Sequence, residues 1–234
     1  MYYYYYDRTY ILVLLGVVLC MLASSRVNSV FRKYDRVRSH TGMTGREAAE
    51  RILRANGIYD VQVQHVSGRL TDHYDPRNKI LRLSDSTYAS ASVAAIGVAA
   101  HECGHAVQHA NGYLPLQIRG VLVPVANFGA TLAWPLILIG MFMNDQTAAL
   151  LINGGILLFS GAVLFQLVTL PVEFNASNRA VRALANSGML YEEEVRQTKA
   201  VLGAAALTYV ASAASMILQL LRLLLITGGR RQDD

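Results

Sequence analysis

The chain has 234 residues, 53% hydrophobic and 16% charged, a balance too apolar for an ordinary soluble domain. The apolar residues gather in long runs, so membrane spans are expected rather than one large core. A net charge of +5 would suit nucleic acid, but most basic residues lie between the apolar runs, where they read as topology signals. No nucleic-acid motif is present, and no such partner is expected.

The first apolar run, residues 10–23, is short against the roughly 20 residues a spanning helix needs. The five tyrosines at 2–6 extend it with rings suited to a membrane–water interface. A signal peptide would carry a basic leader, whereas here Arg8 is offset by Asp7, so residues 1–25 are expected to remain as an uncleaved anchor. Residues 26–118 are mainly non-membrane. Thr44-Gly45-Arg46-Glu47 has capping-box spacing, Ala48, Ala49, Ile52 and Leu53 give one apolar helical face, and Asn56-Gly57 stops it. Three short strands are predicted at 59–66, 69–74 and 79–83, with turns at Gly68 and at Asp75-Pro76-Arg77-Asn78. A helix over 90–110 follows and ends at Asn111-Gly112.

Runs at 121–143 and 148–172, parted only by Asn144-Asp145-Gln146-Thr147, predict a transmembrane helical hairpin over residues 119–172. Asn127, Asn153 and Gln166 are expected to hydrogen-bond between its helices, with Gly154 and Gly155 allowing close approach. Glu173 is predicted to open a new helix, closed by Gly188, within a segment at 173–200. Residues 201–234 hold a fourth run and a basic tail. That run either spans or re-enters, because Arg222 interrupts it. Cys20 lies in the first run and Cys103 beside two histidines, so no disulfide framework is implied.

The chemistry is concentrated in His101-Glu102-Cys103-Gly104-His105, an HExxH sequence on a predicted helix. Residues four apart lie about 6 Å apart along a helix and nearly aligned around it, so both imidazoles reach one ion. Glu102 stands beside them as general base for a water that zinc acidifies to a pKa near 7. Two histidines and a glutamate next to the apolar run 93–100 would be costly without a partner, which favours a metal over a plain polar face. A catalytic zinc usually takes a third protein ligand. His109 is about 12 Å along the helix from His101, too far to share the ion, and fits a supporting or solvent-facing role. The metzincin spacing fails, with Gln108 and Asn111 where Gly and His belong. Glu173 is the better candidate, since two spans between it and His105 return the chain to the starting side. Its bland alternative is a glutamate placed to suit a helix N-terminus.

With Glu173 added, the pattern looks like the gluzincin arrangement. More specifically, the chain resembles the YugP-like family of membrane-bound neutral zinc metallopeptidases. The runs that carry the resemblance are Asp72-His73-Tyr74-Asp75-Pro76, Val98-Ala99-Ala100-His101-Glu102-Cys103-Gly104-His105-Ala106 and Pro171-Val172-Glu173-Phe174-Asn175-Ala176-Ser177. With the hydrophobic layout, it covers nearly the whole chain. It implies one zinc per chain, peptide-bond hydrolysis, His101, His105 and Glu173 as ligands, and Glu102 as base. Related membrane gluzincins often carry Asp where this chain has Ser177, whose hydroxyl can still hold a ligand histidine. The fold class expected is an α+β membrane protein, mainly helical, with three to four transmembrane helices and a small zincin-like domain. The strand at 79–83 is a candidate edge for an extended substrate, and His73, Tyr74 and Arg179 are candidate oxyanion donors.

The expected activity is a metalloendopeptidase acting at the membrane surface on protein or peptide substrates, membrane-associated ones included. Seventeen of the 21 Lys and Arg residues fall within 26–119 and 179–199, so the positive-inside rule puts the site on the cytoplasmic face. The resemblance implies a bacterial plasma membrane. A non-catalytic scaffold with a structural metal is the alternative, though it has no need of Glu102. A metal carrier would place ionisable residues inside several spans, and the run at 121–143 has none.

Overall fold

The computed structural model describes residues 7–143 and 146–229, so the tyrosines at 2–6, Asn144-Asp145 and the basic tail beyond 229 lie outside it. It is a mainly helical α+β chain with one small sheet and four helices long and apolar enough to cross a membrane. The described residues form two compact units. One comprises Ser24–Gln117 and Leu170–Leu207; the other holds 7–23, 118–143, 146–169 and 208–229.

In chain order, α1 spans Tyr10–Asp35 and α2 Gly45–Ala55. The strands are β1 (Gln62–Val66), β2 (His73–Asp75) and β3 (Ile80–Ser84). Then come α3 (Val93–Ala110), α4 (Leu114–Phe142), α5 (Gln146–Asn186) and α6 (Glu192–Gly229).

In the first unit, α2 starts as its sequence dictates. Thr44 accepts from the Glu47 amide while the Glu47 carboxylate accepts from Thr44, a closed capping box. Its buried face, Ala48, Ala49, Ile52 and Leu53, packs in one core with Leu81 and Leu83 of β3 and Ile96, Ala99, Ala100 and Cys103 of α3. The sheet order is β1-β3-β2, with β1 parallel and β2 antiparallel to β3. The strand at 79–83 is therefore the central one and offers no edge; its fully buried Leu81 and Leu83 mark it as the core strand. The Asp72-to-Pro76 run is structural here. Asp72 accepts from the Ser84 amide and hydroxyl, and Asp75 from the amides of Arg77 and Asn78. Bonds from the Asn78 side chain first, then its amide, hold the Asp75 carboxyl down to about 2.

In the second unit, Gly155 meets the other arm of the hairpin closely. A Cβ there would lie 2.6 Å from Ile137 Cγ1 and 2.8 Å from Ala133 O, whereas Gly154 has open space. Asn127 and Asn153 are exposed, and neither they nor Gln166 makes a side-chain hydrogen bond among the described residues. Small residues rather than amides join these helices. Arg222 does not interrupt α6, which runs unbroken; its guanidinium bonds Asp7 at 3.0 Å and covers the Tyr10 ring.

Glu173 does not open a helix. It lies inside the 41-residue α5, which passes through Pro171 and on to Asn186. The drop in hydropathy at 173 marks a change of surroundings, not a change of backbone. A glutamate that deep in a helix has no N-terminal dipole to explain it.

Candidate metal centre

Helix α3 begins at Ser92, whose hydroxyl accepts from the Ala95 amide. Its glycines fit what surrounds it. A Cβ at Gly104 would lie 2.6 Å from Ala176 O of α5, and one at Gly97 would lie 2.8 Å from Thr198 Cγ2 of α6. Backbone contact at Gly104 is what brings Glu173 within reach of the histidines. His101 and His105 stand edge-to-face with centroids 4.8 Å apart. Glu173 Oε2 is 3.2 Å from His101 Nε2 and 3.6 Å from His105 Nε2. The donor atoms of all three residues lie within 4.8 Å of one another.

Each histidine is held from its other nitrogen. His101 Nδ1 is 3.1 Å from Ser177 Oγ, and His105 Nδ1 is 3.0 Å from Gln108 Oε1. Burial pushes His105 down, but its bond to Glu173 and the charges of Glu102 and Glu173 outweigh that, so it holds its proton more tightly than ordinary imidazole. Glu102 is buried at 9% exposure and makes no side-chain hydrogen bond among the described residues. Cys103 is fully buried behind the histidines; burial first, then the Glu102 charge, raises its thiol well above the ordinary value, so it is inert.

The other residues singled out by sequence bond partners outside the three donor residues. His109 Nδ1 bonds Tyr74 Oη at 2.9 Å. Burial, then the charges of Asp60 and Asp75, pushes the Tyr74 hydroxyl up to about 12. His73 turns to the Thr71 carbonyl and to Arg82. Arg179 bonds Asn175 Oδ1 at 2.7 Å. Sequence reasoning missed Gln108 and Asn175. A polar residue three positions past His105, on the same helical face as both histidines, was the available signal.

With this geometry in view, the family model described as "Putative neutral zinc metallopeptidase" matches residues 9–228. The chain belongs to that family. A relative from Bacillus subtilis (strain 168), named "Putative membrane protease YugP", is 47% identical over 212 residues, which cover 91% of this chain and 93% of the relative. No solved structure matches the chain.

The family's description implies zinc, and the donor set fits it. Zinc bonds of about 2.0–2.2 Å in tetrahedral geometry set neighbouring donors about 3.4 Å apart. The two histidine-to-glutamate separations, 3.2 and 3.6 Å, bracket that value. Two imidazoles and a carboxylate also match the ligand types zinc takes in catalytic sites.

Proposed function

We propose that this chain is a membrane-embedded, zinc-dependent metalloendopeptidase, with one zinc held by His101, His105 and Glu173. One observation carries the reading: three metal-type donors from two helices, far apart in sequence, lie within 4.8 Å of one another. Bound there, zinc supplies Lewis acidity and acidifies a water. Glu102 is the base. Its carboxylate, unengaged by other side chains, takes the proton of the attacking water and passes it to the leaving amine. Ser177 and Gln108 keep the histidine rings from turning away.

A scaffold with a purely structural metal fits less well. Such sites usually close with four ligands, and the donor group among the described residues has three. The expected substrates are proteins or peptides, membrane-associated ones included. We place the site at the membrane surface on the cytoplasmic face of a bacterial plasma membrane, from the charge distribution and the relative's name.

Metal analysis and a proteolysis assay on the detergent-purified chain test this. Wild type and Glu102→Gln should each hold about one zinc, and only wild type should cleave. Zinc-loaded wild type that cleaves nothing across a broad protein panel would sink the enzyme reading. Glu173→Ala should bind zinc more weakly, and unchanged affinity would remove it as a ligand.

A further inference from the structure

Gln108 is wholly buried. Its amide nitrogen lies 2.8 Å from the Val172 carbonyl oxygen and 3.0 Å from Asn175 Oδ1, while its Oε1 faces His105 Nδ1 at 3.0 Å. Asn175 Oδ1 also receives Arg179 Nε at 2.7 Å. These four side chains form one chain of bonds within one compact unit.

Donor counting fixes the direction of every bond in it. Arginine has no acceptor, so the Asn175 atom facing it must be the carbonyl oxygen. That oxygen only accepts, so Gln108 must turn its amide nitrogen toward it. The Val172 carbonyl, also acceptor-only, demands the same orientation independently. Both Gln108 donors are then used, and only its oxygen is left for the histidine. His105 Nδ1 must therefore carry a hydrogen, so in the neutral ring, the form that ligates a metal, Nε2, the nitrogen facing Glu173, keeps the lone pair. Turning the Gln108 amide over would set its oxygen against two acceptors in a buried site, a cost no neighbour offsets.

We infer that Gln108 and Asn175, anchored by Arg179 and the Val172 carbonyl, are positioning residues that fix His105 in the Nδ1–H tautomer and so present Nε2 to the metal. The inference rests on the zinc site proposed above. The relay ends on an open side: Arg179 and Asn175 line a groove of about 570 Å³ among α2, α3 and α5. Substitution at Asn175 therefore disturbs the relay without emptying the core.

The test uses the full detergent-solubilised chain, zinc as ligand, and affinity by competition with a chelator. Gln108→Met, similar in length but with no amide, should weaken zinc by about 10–100-fold. Asn175→Leu should weaken it in the same direction, and Asn175→Asp, which keeps an acceptor for Gln108 and Arg179, should restore most of the loss. In zinc-loaded, 15N-histidine-labelled wild type, His105 should show its metal on Nε2 and its hydrogen on Nδ1. Metal on Nδ1 overturns the inference, as does equal affinity in Asn175→Leu and Asn175→Asp. If Gln108→Met fails to fold, the Asn175 pair and the spectrum decide alone. His105→Ala separates this from the underlying reading: wild-type zinc affinity there would mean the metal site itself is misassigned, and the relay falls with it.

Discussion

At Gly104 a single hydrogen in place of a methyl group lets α3 touch the backbone of α5. A Cβ would come within 2.6 Å of Ala176 O and 3.0 Å of its carbonyl carbon, and backbone cannot swing aside as a side-chain tip can. Gly104→Ala should therefore cost about 1–3 kcal/mol of stability by overpacking. It should also move Glu173 away from the histidines and lower zinc affinity. Thermal unfolding and zinc titration of the same preparation read both effects, and a normal zinc site in that variant would contradict this account. The HExxH pattern leaves its third and fourth positions open, so sequence had no reason to single out the fourth; only the fold shows what stands against it. His105 gives a second prediction at this scale. Its raised pKa means the metal-free site holds its proton to a higher pH than an ordinary imidazole does, and zinc must displace it. Zinc affinity should fall as pH drops through the range where His105 takes up its proton, approaching tenfold per unit below it. A flat profile would mean that His105 is not displaced from its proton by metal.

At the scale of elements, the two neighbouring glycines of α5 make opposite predictions. Gly155→Ala forces a methyl into Ile137 and the Ala133 carbonyl, whereas Gly154→Ala meets open space. The first should lower the unfolding temperature in detergent, and the second should leave it unchanged or raise it slightly, since Ala is the better helix former. Equal effects would show that the hairpin does not close at Gly155. From sequence the two glycines were indistinguishable, because a small residue says that close approach is allowed, not which face it is on. The same limit explains α5 itself. Hydropathy reports solvent, so the apolar run ending near Val172 and the polar stretch from Glu173 read as two helices, although the backbone continues through both. Where the signal was local chemistry it was legible: the Thr44–Glu47 box, the Asn111-Gly112 stop and the Asp75 turn all formed as their residues require. Sheet order was not legible. Pairing between β1 and β3 joins segments that no turn connects, and the burial of Leu81 and Leu83, not their spacing, reveals the central strand.

For the whole molecule, the proposal that catalysis faces the cytoplasm turns on charge. The unit holding His101, His105 and Glu173 carries most of the chain's basic residues, while the described hairpin residues from Val121 to Phe142 carry none. Basic segments are retained on the cytoplasmic side during insertion. Tyr59, 81% exposed in the unit with the donor group, and Phe142, 87% exposed at the end of α4, are suited to paired cysteine substitutions. In intact cells a membrane-impermeant maleimide should label Phe142→Cys and spare Tyr59→Cys until the membrane is opened. The native thiols should add little background, since Cys103 is fully buried with a raised pKa and Cys20 sits in the apolar run of α1. Labelling of Tyr59→Cys from outside would reverse the orientation. The zinc site would survive that result, because its geometry does not depend on which face it occupies, but the substrates would then have to be sought outside the cell.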